Sequence, residues 1–208
     1  MIARSLAAGA VAALLAPLVF VAAAVGILPG RAGAVDQTTM PTPASVPLAP
    51  TANAGELADQ VLANPRLTIY AAGRGDIASG VIDSRVLTLL QTLSQRWELT
   101  VTSLKSGHSR CVGGGARAGC SVSNHWHGRG VDIAEVHGAA VTAGNTAALD
   151  IARTLAALPA PLRPDEVGTP WPALDDPGFF ADAAHRDHLH IGYDRKAPEF
   201  HLMKDSEG

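Results

Sequence analysis

Apolar and polar residues recur along this chain with different periods in different stretches, and each period predicts an element. Between Asp83 and Trp97 the residues Val86, Leu89, Leu90, Leu93 and Trp97 fall at three- and four-residue spacing. That spacing lines one face of a helix, and Asp83 is suited to cap it because a short carboxylate accepts the free N–H groups of a first turn. A second helix is predicted over Asn145 to Leu158, stopped by Pro159, and a short one over Glu56 to Ala63, ended by Asn64-Pro65. Glu98 to Leu104 and Val131 to Val136 read as half-buried strands. Helices and strands mix without regular β-α-β alternation. The expected class is therefore α+β, a small mixed or antiparallel sheet with flanking helices.

The N-terminal pattern differs. Leu6 to Leu28 is an uncharged run with no polar face, followed by PGRAGAV. It predicts a hydrophobic helix that stands apart from any soluble core. Its length suits a membrane anchor of roughly 20 residues, whereas Ala32 and Ala34 form a small-x-small cleavage site suited to a signal peptide. Residues 1–34 are thus a signal peptide or a signal anchor, and both readings predict an extracytoplasmic location, anchored if uncleaved or secreted if cut near Ala34. Residues 35–55 are rich in Pro, Thr and Ala without an apolar period and read as a linker. Residues 56–208 form the expected folded domain.

Composition narrows the choice of partner. The whole chain has 16 basic and 19 acidic residues; the first 34 hold Arg4 and Arg31 and no acid, so the exported part carries 14 bases against the same 19 acids. Without a basic patch, nucleic acid is excluded as a partner. The two cysteines, Cys111 and Cys120, bracket the glycine-rich loop VGGGARAG. In an oxidising compartment this predicts a disulfide, worth about 2 to 3 kcal/mol on the loop-entropy model. Their separation is too long for the usual cysteine pair of a zinc site.

Chemistry concentrates in two segments. HRDHLHIGY, His185 to Tyr193, holds three of the eight histidines. In a strand His188 and His190 would share a face. A catalytic zinc usually takes three protein ligands, and SNHWHGRGVDI, Ser123 to Ile133, supplies His125 and Asp132 with glycines at 128 and 130 that let the chain turn between them. With His190 this makes two histidines and one carboxylate.

Ser123, His125, Gly128, Gly130 and Asp132 follow the order Ser-x-His-x-x-Gly-x-small-x-Asp, and DHLH satisfies both an acid-x-x-His and a His-x-His ending. The chain thereby resembles the zinc D-Ala-D-Ala carboxypeptidases and the related phage endolysins that cut L-alanyl-D-glutamate bonds, a group sharing a small α+β fold with lysostaphin-type peptidases and the hedgehog signalling domain. The resemblance spans roughly residues 99–193. It implies a hedgehog/DD-peptidase-like fold, Zn2+ held by His125, Asp132 and His190, Asp187 as general base and His188 as an accessory histidine for the oxyanion. An offset of three would put Asp187 and His190 on opposite faces of a strand, so the strand is expected to begin at His188 with Asp187 in the preceding turn.

The family's substrate-binding arginine has no counterpart here. Lys105 occupies the comparable place in TSLKSGHS, with His108 following, and a lysine lacks the bidentate fork. Lys105, His108 and Ser123 are the expected substrate contacts, with terminal D-Ala-D-Ala specificity in doubt. His127 reads as a neighbour of the site or an exposed residue, His137 and His201 as surface residues, and His185 as a border residue. Trp126 and Tyr193 line a groove or pack in core or rim, and Asp165 with Glu166 reads as a solvated turn. Two function classes follow: an exported zinc peptidase acting on peptidoglycan stems or crosslinks, or a non-catalytic zinc-containing cell-wall-binding module of the same fold. A facial-triad iron oxygenase also uses two histidines and a carboxylate, but its His-x-Asp pair is missing.

Overall fold

A computed structural model describes residues 53–112, 119 and 121–195. The N-terminal apolar run, nearly all of the linker, Cys120 and His201 lie outside the described residues. Among the described residues no helix is long and apolar enough to cross a membrane.

The chain forms a mixed α+β fold. The helices are α1 (Ala54–Ala63), α2 (Ala71–Ala78), α3 (Ser84–Ser94) and α4 (Thr146–Ala157). The strands are β1 (Leu67–Ile69), β2 (Leu99–Ser103), β3 (Cys111–Val112), β4 (Ser121–Val122), β5 (Gly130–Val136), β6 (Ala139–Ala140), β7 (Glu166–Gly168), β8 (Phe179–Phe180) and β9 (Leu189–Gly192). One sheet runs in the order β1-β2-β5-β9-β7-β8, with β6 added to β5 as a hairpin, and β3 and β4 make a separate two-stranded ribbon. Only β1 with β2 and β7 with β8 are parallel.

Caps set the helix starts. Asn53 and Glu56 form a capping box, each side chain bonded to the other's backbone N–H, so α1 begins two residues before the expected Glu56. Asp83 caps α3 through Arg85 N, and Asn145 caps α4 through Ala148 N. The strand that carries His190 begins at Leu189, one residue later than expected, which leaves both Asp187 and His188 in the bend before it, so the two histidines do not share a strand face.

Strand alternation gives the sheet two different faces. Val131 and Ile133 of β5, Leu189 and Ile191 of β9 and Val167 of β7 are buried in one core with Leu89, Leu90 and Leu93 of α3 and Ile151 and Leu155 of α4. Burying each such side chain contributes about 1.5 to 3 kcal/mol, which makes this face the source of the fold's stability. The alternate positions form the other face. There β5 pairs Asp132 with His190 and Gly130 with Gly192, and β7 pairs Gly168 with His190 and Glu166 with Gly192. Ser103 of β2 lies opposite Asp132.

Candidate metal centre and its cleft

Two of the expected ligands are cross-strand neighbours in the sheet, and the third reaches them from a single turn of 3-10 helix, His125–His127. That turn ends at Gly128, whose φ of 69° and close approach to the Val81 carbonyl leave no room for a side chain: an added Cβ would lie 2.0 Å from that oxygen. Ser123 Oγ accepts from His125 N at 3.2 Å and fixes the entry to the turn. Ser123 therefore positions His125, although it also lines the cleft as expected of a substrate contact.

The three donor atoms converge. His125 Nε2 lies 3.1 Å from Asp132 Oδ1 and 3.1 Å from His190 Nδ1, and His190 Nδ1 lies 2.9 Å from Asp132 Oδ1. All three residues are buried. The outer ring nitrogens are also engaged: His125 Nδ1 donates to the Leu104 carbonyl and His190 Nε2 donates to Glu166 Oε1 at 3.0 Å. Neither acceptor has a proton to give, so each neutral ring carries its hydrogen on the outer nitrogen and turns a lone pair inward. Two lone pairs and a carboxylate oxygen within 3.1 Å of one another require a positive charge between them. A metal ion or a shared proton supplies it, and the outer bonds are of the kind that orient ligating histidines.

Electrostatics agree. Burial lowers the pKa of His190, but the hydrogen bonds to Asp132 and Glu166 override it and hold the group at about 9. Burial works against ionisation of Asp132 too, and the hydrogen bonds from His125 and His190 outweigh it, keeping the carboxyl far below its ordinary value. The hydrogen bond from His190 likewise depresses Glu166. Without a metal, the cluster holds a proton in the metal's place.

His108 extends the group. Its ring stacks on His125 with centroids 4.1 Å apart, and His108, His125 and Asp132 offer ligand atoms within 4.8 Å of one another, a set that could hold a metal ion. The triad with His190 is tighter and has both outer nitrogens bonded, and His108 lines the cleft beside it.

That cleft has a volume of about 670 Å³ and is lined by Asp132 and His190 of the triad and by Val112 and Val122 of the β3–β4 ribbon. Three glycines of the sheet leave space for its side chains. A Cβ at Gly130 would meet the His125 ring at 2.8 Å, one at Gly168 the His185 ring at 2.5 Å, and one at Gly192 the Glu166 carboxylate at 2.5 Å.

Two histidine–carboxylate pairs flank the triad. His188 Nδ1 donates to Asp187 Oδ1 at 2.9 Å while His188 Nε2 lies 3.9 Å from Asp132 Oδ1. The Asp187 side chain is 85% exposed and points at His188, not at the triad, so the expected direct contact of this acid with the centre is replaced by one relayed through His188. His185 Nδ1 pairs with Asp182 Oδ1 at 2.7 Å, and its ring packs edge-on against Phe180.

Other expectations are redistributed. Lys105 does not line the cleft: its ammonium binds the Trp126 carbonyl and lies 5.2 Å from the Trp126 ring centroid, outside the site. Tyr193 is fully buried, its hydroxyl donating to the Leu162 carbonyl at 2.7 Å, which makes it a core residue. Glu166 is no solvated turn; it joins His190 to Asn124, whose Nδ2 donates to it at 2.7 Å. His127 is exposed beside a separate recess lined by Gly80 to Asp83. Cys111 has no free thiol, and its expected partner Cys120 lies outside the described residues.

A second layer was silent in the sequence. Buried Asp76 of α2 accepts from Lys105 N, Ser106 N and Ser106 Oγ, and Tyr70 bridges the same loop by donating to the Ser106 carbonyl and accepting from Leu104 N. These bonds fix the loop whose Leu104 carbonyl orients His125. No family model, curated protein or solved structure matches the chain.

Proposed function

We propose that this chain is an exported, zinc-dependent peptidase that hydrolyses peptide bonds of peptidoglycan stems or crosslinks, with a hedgehog/DD-peptidase-like fold. The observation that carries the reading is the convergence of His125 Nε2, Asp132 Oδ1 and His190 Nδ1 within 3.1 Å, with Asp132 and His190 lining a cleft. Two imidazoles and a carboxylate are a donor set for zinc that leaves a position free. Bound there, zinc polarises a carbonyl and lowers the pKa of water toward neutrality. The apolar run Leu6 to Leu28, read as an export signal, supports a wall peptide as substrate.

The protein's own groups divide the remaining work. Asp187 holds His188 Nδ1–H, which leaves Nε2 as the proton acceptor on the side of the triad. His188 is then the general base that takes a proton from the attacking water and returns it to the leaving amine, and Asp187 orients it. The resemblance instead implies Asp187 as the base and His188 as the histidine for the oxyanion; here the base role passes to His188 and Asp187 becomes its orienting partner. Glu166 and the Leu104 carbonyl hold the ligand rings, while His108 and His185 line the substrate's path.

The test is metal analysis combined with release of new amine from purified peptidoglycan. The protein should carry about one zinc by the three-ligand argument, and His125→Ala or Asp132→Ala should lose most of it. Full zinc in both variants would show that the ligands are wrongly assigned. Zinc without release of amine from any wall peptide would replace the peptidase by the non-catalytic binding module.

A further inference from the structure

We propose that His108 is a fourth, exchangeable ligand of the metal centre: its Nε2 fills the position that His125, Asp132 and His190 leave open, and substrate displaces it. This rests on the metal centre of the proposed peptidase and adds a gate to it. His108, His125 and Asp132 offer ligand atoms within 4.8 Å of one another, and the His108 ring lies over that of His125 with centroids 4.1 Å apart and planes 11° from parallel. His108 Nδ1 donates to the Ser109 carbonyl at 2.9 Å, which puts the hydrogen on that nitrogen and leaves the lone pair on Nε2. The Leu104 carbonyl turns His125 inward by the same device. His188 also stands near, with Nε2 3.9 Å from Asp132 Oδ1, but of these two flanking rings His108 is the one that offers a donor to His125 and Asp132 together.

The backbone explains why this ligand exchanges and the other three do not. Up to Ser106 the loop is pinned, because Asp76 accepts from Lys105 N and Ser106 N and Tyr70 donates to the Ser106 carbonyl. At Arg110 it is pinned again, where the carbonyl accepts from Ser123 N at 2.9 Å. Between these points Gly107 takes a φ of 90°, and among the described residues neither Gly107 nor His108 makes a backbone hydrogen bond. His108 therefore rides on a short hinge, whereas Asp132 and His190 belong to paired strands and His125 is buried. Since His108 also lines the cleft, an incoming peptide meets it. It leaves as a neutral imidazole with Nδ1 still bonded to Ser109, so the exchange moves no proton. Four protein ligands make a closed zinc site and three leave a position for chemistry, so the hinge decides between the two.

The test counts ligating histidines without using turnover. Full-length protein is loaded with cobalt(II), and exchangeable, hyperfine-shifted imidazole N–H resonances are counted by proton NMR, one for each ligating ring. Wild type and His188→Ala should show three and His108→Ala two. Saturating acetohydroxamic acid, a small metal-binding probe, should reduce wild type from three to two. It should also bind His108→Ala at least tenfold more tightly than wild type, because no side chain then competes for the position. Two resonances in wild type overturn the assignment, whether or not the variant folds. A third resonance that persists in His108→Ala, disappears in His188→Ala or survives saturating acetohydroxamic acid overturns it as well. Protein that takes up no cobalt loses the metal centre and the gate together. Amine release from peptidoglycan is measured separately, so wild type that cuts with two resonances keeps the peptidase and loses only the gate.

Discussion

Glu166 Oε1 accepts a hydrogen bond from His190 Nε2 at 3.0 Å across the β7–β9 pair, so a residue from a three-residue strand orients a buried histidine on its neighbour. Glu166→Ala should lower zinc affinity by about 10- to 100-fold, the usual scale for removing the partner of a ligating histidine. Glu166→Gln keeps an accepting oxygen and should retain most of it. Competition titration with a chromophoric chelator distinguishes the two, and equal affinity in Glu166→Ala and wild type would remove Glu166 from the site.

Gly130 tests the packing of the triad without altering a donor. A Cβ there would lie 2.8 Å from the His125 ring and 2.9 Å from its backbone N, so Gly130→Ala must displace a ligand. Zinc affinity should fall by roughly tenfold or more, on the scale of disturbed ligand orientation. Gly144→Ala, where the nearest atom is Thr142 Oγ1 at 3.8 Å, should leave affinity unchanged and serves as the control.

The His188–Asp187 pair makes an ordered prediction for turnover. His188→Ala should reduce amine release by about 100-fold or more, the scale of general base catalysis, with zinc retained. Asp187→Asn loses only the group that orients the ring and should lose less. If Asp187→Asn proves the more damaging and His188→Ala mild, Asp187 is the base and the relay through His188 is wrong.

With metal removed by a chelator, stability should depend on pH through the same cluster. His190 is raised to about 9, so its contribution is complete below an unfolded value near 6.5 and is lost as pH rises through 9. Asp132 is depressed, so its contribution is present above about 4 and is lost as pH falls. Melting temperature in chelator should therefore be highest between about pH 4 and 6.5 and drop toward pH 9.5. Saturating zinc should cancel the alkaline drop, because the metal takes the place of the proton. A flat profile from pH 6 to 9.5 in chelator would contradict the coupling of His190 to Asp132 and Glu166.

Protein isolated from an oxidising compartment should show no alkylation of Cys111 or Cys120 until reduced, as the disulfide reading requires. Two thiols reactive without reductant, read by mass spectrometry, would refute the pairing.

The parts of the molecule legible in the sequence are those whose signal is local. Asp83 before an i, i+3, i+4 pattern gives α3, Asn145 and Pro159 bound α4, and the β-branched Val131 and Ile133 either side of Asp132 give β5. The turn His125–His127 and its Gly128 are legible because one glycine must carry a left-handed φ. What escaped depends on pairing between distant segments. The strand β1 has three residues, too few for a period, and α2 contains Gly73 and Gly75, which hide its helix from any propensity argument. Glu166 lies 24 residues from His190, and nothing near it in the chain says that Gly168 will sit opposite that histidine. Lys105 was misplaced for the same reason: its position along the loop is right, but the loop is turned by Asp76 and Tyr70, far upstream, and the ammonium ends on Trp126.

The pairing of Asp132 with His190 also bears on how the chain finds its own alignment. A slip of one residue between β5 and β9 would send His190 into the apolar core and bring Leu189 or Ile191 out beside Asp132. Hydrophobic burial alone already disfavours that arrangement, and loss of the three-donor site penalises it a second time. A metal ion bound at the proposed site would thus act as a proofreader of strand alignment, rewarding only those molecules in which both faces of β9 are the right way round.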